Sequence, residues 1–314
     1  MNRTFYPGLL FVFLFVSCQR DEIIFIPDQN YQINRETLIN SLIKTQVTYQ
    51  FQADDQDLTL FLPKQAVLQL PAGSLIKPDG NQATGFVKVH FDDVSANKSG
   101  LLKAPSLTYN NTIIDAGKAT YIRFEQDGKP LELKSSAFLY LPSESSNEVS
   151  QLYYAEENSS NWQSAVGTGQ NLQPQKWDVI YKDGMIPVIG YRVSITGKGG
   201  WYCIGKTENG IETAAQLSVI LPSGFNSSNT LVYWVSDNSK TSLRLEAEGN
   251  STVFNSPHLK IAEFAEGKIV SVSDFGGDNY YFGTRNAVFK KDASISLIPE
   301  KQNLSEIKNL LLKL

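Results

Sequence analysis

The sequence has 314 residues, of which 41% are hydrophobic and 19% charged, a composition typical of a folded globular protein and not of a disordered chain. Its 28 basic and 32 acidic residues give a net charge of −4, which argues against nucleic acid as a partner. Two histidines and two cysteines, all far apart in the sequence, provide no His-rich or Cys-rich spacing for a metal, so we expect no cofactor.

The first residues are typical of a secretory signal. Arg3 precedes an apolar run from Leu9 to Val16, which ends in Ser17-Cys18. This run is shorter than the roughly 20 residues that a membrane-spanning helix needs. We therefore predict that residues 1–17 are a signal peptide. The alternative to a signal peptide that uses the cysteine at its end is an ordinary signal peptide in which the cysteine has no role.

The residues around the cysteine carry a resemblance. Phe15-Val16-Ser17-Cys18 resembles a bacterial lipobox, with Phe15 in place of the usual Leu. This implies a diacylglycerol thioether on Cys18 and a further acyl chain, such as palmitate, on its amine. Each buried methylene adds about 0.8 kcal/mol, so two or three chains anchor the protein to a membrane.

The four residues after the cysteine carry a second resemblance. Gln19-Arg20-Asp21-Glu22 resembles the export tag of Bacteroidetes-type surface lipoproteins. It implies an outer-membrane lipoprotein on the cell surface. The periplasmic face of the membrane is the alternative.

Short alternating runs dominate the rest of the chain. Residues 18–44 read as a lipidated tether with one possible helix, Glu36 to Lys44. Glycine turns such as Asp79-Gly80 and Asp127-Gly128 separate the runs that follow. Strands are predicted at Val47–Phe51, Leu58–Leu62, Ala66–Leu70, Gly85–Phe91, Ala119–Phe124, Ala137–Leu141, Gln151–Ala155, Tyr191–Ile195, Ala215–Leu221 and Thr230–Val235. The pattern predicts an all-β protein of two to three antiparallel β-sandwich modules, closed by a short amphipathic C-terminal helix.

Three modules are expected after the tether, at 45–145, 146–205 and 206–314. In the first, the strand Ala66–Leu70 enters Pro71-Ala72-Gly73, and a last strand ends in Leu141-Pro142. This pattern resembles a ZU5-like β-sandwich. The resemblance implies protein–protein contacts or a rigid spacer, and it transfers no catalytic residue. We expect a β-rich middle segment at 146–205 and a C-terminal sandwich that carries the terminal helix.

Two kinds of ligand site are conceivable. Trp162, Tyr280 and Tyr281 are candidates for a carbohydrate-binding face, because aromatic rings bury a large area at a small cost in entropy. Trp162 could equally cover the next sheet. Weak calcium candidates are the clusters Asp54, Asp55 with Asp57, and Asp274 with Asp278, for which hydrated turns are the alternative.

We therefore expect no catalytic residues and no enzyme activity. The sequence favours a cell-surface binding or assembly module, acting in adhesion, glycan capture or an outer-membrane complex. Its partners would be the membrane, through the lipid, and a glycan or an outer-membrane protein. The alternatives are a secreted hydrolase whose carboxylates are assembled by the fold, and a purely structural spacer.

Overall fold

The computed structural model describes residues 35–43, 46–53, 56–95, 97–143, 149–157, 159, 161–165, 172–182, 184–207, 214–260 and 265–314. Within these ranges β-strand is the predominant structure, as the alternating pattern predicts. The strands are β1 (Val47–Ala53), β2 (Leu58–Phe61), β3 (Val67–Leu70), β4 (Leu75–Ile76), β5 (Gly85–Asp93), β6 (Thr108–Tyr109), β7 (Thr112–Gln126), β8 (Lys129–Pro130), β9 (Glu132–Pro142), β10 (Gln151–Ala155), β11 (Gln163–Ser164), β12 (Gln175–Tyr181), β13 (Gly184–Gly197), β14 (Gly200–Thr207), β15 (Ala214–Ala215), β16 (Leu217–Ile220), β17 (Thr230–Ser236), β18 (Ser242–Leu245), β19 (Val253–Asn255), β20 (Leu259–Lys260), β21 (Ala265–Asp274), β22 (Tyr280–Phe289), β23 (Ala293–Ser296) and β24 (Glu300–Gln302).

The helices are few and short. They are α1 (Arg35–Leu42) and α2 (Leu304–Leu311), with two 3₁₀ turns at Pro63–Gln65 and Gly100–Lys103. None of the described helices has the length and hydropathy that a membrane span needs.

Two sheets form an N-terminal sandwich. One runs in the order β1-β5-β7-β14-β10-β11 and the other in the order β12-β13-β9-β3-β2. Val87, Val89 and Phe91 of β5 alternate into the core between them, where they meet Leu68 and Leu139 of the second sheet. At the predicted turn Asp127-Gly128 both residues have positive φ, +51° and +75°, which the tight turn between β7 and β8 requires.

The ranges 45–145 and 146–205 contribute strands to the same two sheets. In the first sheet β14 pairs with β7 and with β10, and in the second sheet β13 pairs with β9. The boundary expected at 145/146 therefore falls inside one sandwich. Sequence patterns locate strands, but they do not reveal which distant strands share a ladder.

The C-terminal sandwich has three layers. Its main sheet has the order β18-β17-β21-β22-β24, and a small sheet, β19-β16-β23, packs on one face of it. Both helices cover the other face: Leu38 and Ile39 of α1 share a hydrophobic cluster with Val270 of β21 and with Ile307 of α2. The α2 helix docks as its amphipathic pattern favours, whereas α1, expected in the tether, is part of this core. The β16–β23 and β7–β20 pairs are parallel, unlike the antiparallel pairs expected.

Main-chain hydrogen bonds join the two sandwiches directly. Leu107 N donates to Ser242 O, and Ala116 N donates to Lys240 O, both at 3.0 Å. The ammonium of Lys98 donates to the carbonyls of Ser236 at 2.6 Å and Asp237 at 2.7 Å. The two sandwiches are thus held in one arrangement at this junction.

Candidate functional site

The face of the first sheet that points away from its core carries a row of polar and aromatic side chains. Asp92 on β5 lies opposite Tyr121 on β7, and Tyr121 lies opposite Trp201 on β14. Their chain neighbours Phe91 and Ile122 are in the core. Because successive residues of a strand point to opposite faces, Asp92, Tyr121 and Trp201 all project outward. The rings of Tyr121 and Trp201 are tilted by 47°, with centroids 5.1 Å apart.

A charged network lies two residues further along the same strands. Arg123 donates to Glu157 at 3.0 Å and to Glu125 at 3.1 Å. His90, opposite Arg123, contacts Thr48 through Nδ1 at 3.0 Å and Glu125 through Nε2 at 3.4 Å. Burial, reinforced by the positive charge of Arg123, lowers the pKa of His90 although Glu125 opposes the shift. His90 is therefore neutral near pH 7.

A buried ion pair lies beside this row. Asp92 Oδ2 accepts from the ammonium of Lys103, with side chains that are 3% and 6% exposed. Lys103 comes from the 3₁₀ turn Gly100–Lys103, which packs against α1. Asp92 Oδ1 is buried and has no hydrogen-bond partner among the described residues. An unpaired buried acceptor of this kind destabilises the folded state, so a ligand that donates to it removes a penalty.

The row forms one wall of a cleft between the two sandwiches. The cleft has a volume of about 870 Å³, within the range of ligand sites in proteins. Four acidic and three basic side chains line it, and Tyr121 and Trp201 are among its aromatic residues. The charged residues are Asp92, Glu157, Glu246, Glu248, Lys103, Arg123 and Arg244. Mixed charges around aromatic rings suit a polar ligand that also has an apolar face.

Three of the four cleft carboxylates form ion pairs with basic side chains. Glu157 accepts from Arg123, and Glu246 accepts from Arg244 Nε at 2.5 Å on the opposite wall. Ser106 Oγ, from the N-terminal sandwich, accepts from Arg244 N at 2.8 Å. The Ser106–Arg244 bond joins the two sandwiches at the cleft, whereas the ion pairs are partly exposed and contribute less to its shape.

Trp162, the first aromatic candidate, is buried. Its side chain is 4% exposed and packs in one cluster with Tyr153 and Trp201. Its Nε1 donates weakly to Pro105 O, at 3.4 Å. The ring thus covers the outer face of the first sheet, as the alternative interpretation holds, and it offers no open face for stacking on a sugar.

Tyr280 and Tyr281 lie in the other sandwich, on β22, and line no part of the cleft. Both are partly buried. Tyr281 makes edge contacts with Phe225 and Phe275, with ring centroids 5.5 Å and 5.2 Å apart. The structure therefore does not bring the three aromatic candidates into one face.

The described residues of the two acidic clusters lie at turns, and two of them accept hydrogen bonds from backbone N–H groups there. Asp57 Oδ1 accepts from Ala72 N, and Asp274 Oδ1 accepts from Gly276 N, both at 2.8 Å. Asp278 is exposed with a positive φ of 61°. Asp54 and Asp55 lie outside the described residues, as does Cys18. Within the described part of the chain, no three His, Cys, Asp or Glu side chains are grouped to hold a metal.

Cys203 is fully buried, and burial raises the pKa of its thiol. A thiol in this environment is inert, so Cys203 is a residue of the core.

The cleft residues have a weak signal in the sequence. Asp92 and Asp93 end the alternating strand β5, and the alternation places His90 and Asp92 on one face. Tyr121 and Trp201 are 80 residues apart, from 201 − 121, so their contact follows only from the β7–β14 ladder. No protein-family model matches the chain, and no curated protein is significantly similar to it.

Proposed function

We propose that this chain is a lipid-anchored bacterial surface protein that binds a glycan in the cleft between its two sandwiches. The observation that carries the proposal is the row of Asp92, Tyr121 and Trp201 on one wall of a cleft of about 870 Å³. Sugars are bound in proteins by aromatic rings against their C–H faces and by charged side chains against their hydroxyls. This cleft offers charged side chains together with the small parts of Tyr121 and Trp201 that reach it, since these two residues are 7% and 8% exposed.

The anchor rests on the N-terminal pattern. The lipobox-like Phe15-Val16-Ser17-Cys18 supports acylation of Cys18, and Gln19-Arg20-Asp21-Glu22 supports transfer to the cell surface. Metabolic labelling with a palmitate analogue should mark the intact chain but not a Cys18→Ser variant. Protease applied to intact cells should remove the protein, and its survival would contradict surface exposure.

Binding is favoured over hydrolysis by the charge pairing in the cleft. A glycosidase needs two carboxyl groups that face the scissile bond, one of them a proton donor with a raised pKa. Asp92, Glu157 and Glu246 are each engaged in an ion pair with a basic side chain, and the fourth cleft carboxylate, Glu248, is exposed. The ZU5-like pattern of the N-terminal sandwich also supports a role in contacts.

The test is a glycan array probed with the full lipidated chain in detergent. Arg244→Ala removes a charged hydrogen-bond donor from the cleft wall, and Arg285→Ala is a matched change at an exposed arginine outside it. Because hydrogen bonds to charged groups contribute about 1.5–3 kcal/mol, we expect at least about tenfold weaker glycan binding in Arg244→Ala. Arg285→Ala should bind as the unaltered chain does.

Other outcomes distinguish the alternatives. Shortened glycan products would indicate a hydrolase. Absence of glycan binding together with a co-purifying outer-membrane protein would indicate an accessory subunit of a membrane complex. If the chain binds neither a glycan nor a partner protein, a purely structural spacer is the remaining alternative.

A further inference from the structure

We infer that the cleft selects a neutral sugar ring, whose adjacent hydroxyl groups bind the buried Asp92–Lys103 pair. The inference rests on the proposed glycan-binding function and adds the chemical class of the ligand. Its basis is the geometry at the base of the cleft wall, where a carboxylate and an ammonium lie side by side and one carboxylate oxygen has no hydrogen-bond partner among the described residues.

Within the Asp92–Lys103 pair, Asp92 determines which kind of ligand group can bind. Asp92 is 2% exposed yet lines the cleft, and its Oδ2 accepts a hydrogen bond from the ammonium of Lys103. Its Oδ1 can accept a further hydrogen bond, and the ligand group that reaches it must be a donor. A buried carboxylate with an unfilled acceptor position is costly to keep, and donation from a ligand offsets that cost.

Lys103 restricts which donor is accepted. A ligand ammonium at Asp92 Oδ1 would lie close to the ammonium of Lys103, and the two positive charges would repel each other at low dielectric. A ligand carboxylate would meet the same penalty from Asp92. A hydroxyl group is uncharged and both donates and accepts, so adjacent hydroxyls can donate to Asp92 and accept from Lys103.

The neighbouring strands supply the apolar half of the site. Tyr121 lies directly opposite Asp92 in the ladder, and Trp201 follows on the next strand. Both line the cleft beside the ion pair. A sugar ring held by hydroxyls on one edge would place C–H groups against the parts of these rings that reach the cleft.

The first test uses the unaltered full chain in detergent on an array of neutral, N-acetylated, uronic-acid and free amino-sugar oligosaccharides. We expect neutral or N-acetylated ligands to bind at least about tenfold more tightly than uronic acids or free amino sugars. A preference for either charged class would overturn the inference and leave glycan binding standing. Absence of binding to every class would overturn the proposed function and this inference with it.

The second test assigns the selection to the ion pair. In Asp92→Asn the acceptor keeps its shape but loses its charge, so we expect at least about tenfold weaker binding of the best neutral ligand. Because this change leaves Lys103 buried beside a neutral group, a second variant, Asp92→Leu with Lys103→Met, replaces the pair by apolar side chains that fold more readily. Melting temperatures establish that each variant is folded.

The variants distinguish glycan binding in the cleft from the role of the Asp92–Lys103 pair in that binding. Loss of neutral-glycan binding in the folded double variant supports the role of the pair. Undiminished binding in that variant, alongside weakened binding in Arg244→Ala, would overturn the inference while the cleft stays a glycan site. Where neither variant folds, the array comparison on the unaltered chain still decides.

Discussion

His90 links the electrostatics of the outer face to the stability of the protein. Its pKa is lowered chiefly by burial and then by the charge of Arg123, with Lys88 adding to the effect and Glu125 opposing it. A histidine with a lowered pKa binds fewer protons in the folded state than in the unfolded state. It therefore costs no stability above pH 6.5, and it destabilises the fold progressively as the pH falls below that value.

We predict that His90→Gln reduces the pH dependence of stability. The free energy of unfolding, measured with urea, should fall less between pH 7.5 and pH 5.5 in this variant than in the unaltered chain. His258→Gln, at an exposed histidine, should keep the dependence of the unaltered chain. An equal dependence in all three proteins would show that His90 is not protonated more readily on unfolding.

A sequence shows which residue types are present, but it does not show which residues surround each of them in the fold. Trp162 was a reasonable candidate because it follows a polar run, yet its ring is buried in the N-terminal sandwich. Asp92 and Lys103, only 11 residues apart, form an ion pair because the chain between them turns back over the sheet. Such a contact depends on a loop path that no periodicity encodes.

At the scale of the elements, α2 shows a local sequence signal that the structure confirms. Asn303 Oδ1 accepts from Glu306 N at 2.8 Å, and the side chain of Glu306 accepts from Asn303 N at 3.2 Å, which completes a capping box. Ile307 and Leu311, four residues apart on one face, are buried against the main sheet of the C-terminal sandwich. A helix of eight residues depends on this packing and on its cap.

We predict that Asn303→Ala lowers the free energy of unfolding by about 1 kcal/mol, because it removes the N-cap acceptor. The measurement is urea denaturation followed by circular dichroism. Asn309→Ala is the matched control: the residue is exposed within α2, where alanine is the better helix former, so no loss is expected. A loss of similar size in both variants would mean that the cap contributes nothing of its own.

Several strands were predictable because local patterns define them, whereas β12, β21 and β22 were not among those predicted, and the strand partners were not predictable. The run Gln151–Ala155 is a strand with the bounds that the alternation predicts. Its pairing with β14, which brings Tyr154 opposite Tyr202, joins segments nearly fifty positions apart. The predicted range Ala119–Phe124 likewise covers only the middle of β7, a strand of 15 residues that pairs with both β5 and β14. Long ladders between distant segments follow from tertiary packing, which a single sequence does not specify.

At the scale of the whole molecule, the cleft exists because the sandwiches are fixed against each other. The sequence left open whether the modules flex at 143–150 or at 167–175, most of which lie outside the described residues. Besides its main-chain bonds, the described junction has bonds between side chains and backbone: Asp115 Oδ1 accepts from Lys240 N at 2.8 Å, and Leu101 O accepts from Ser242 Oγ at 2.9 Å. Bonds of this kind leave little freedom for one sandwich to rotate on the other.

Lys98 is the side chain on which this rigidity can be tested. Its ammonium donates to the carbonyl of Ser236, which ends β17, and to that of Asp237, which follows it, so one residue of the N-terminal sandwich binds a turn of the C-terminal one. In Lys98→Met the apolar stem remains and the two carbonyls lose a charged donor, which should lower the free energy of unfolding by about 2 kcal/mol. Lys129→Met, at an exposed lysine in β8, is the matched control and should have little effect.

The number of steps in the unfolding transition tests the coupling between the two sandwiches more directly. If the junction couples the sandwiches, the unaltered chain should unfold in a single step by fluorescence and circular dichroism alike. Weakening the junction through Lys98→Met should either keep that single step at a lower urea concentration or divide it into two. Two steps already present in the unaltered chain would mean that the sandwiches are energetically independent. The junction bonds would then not be enough to hold the cleft in one shape.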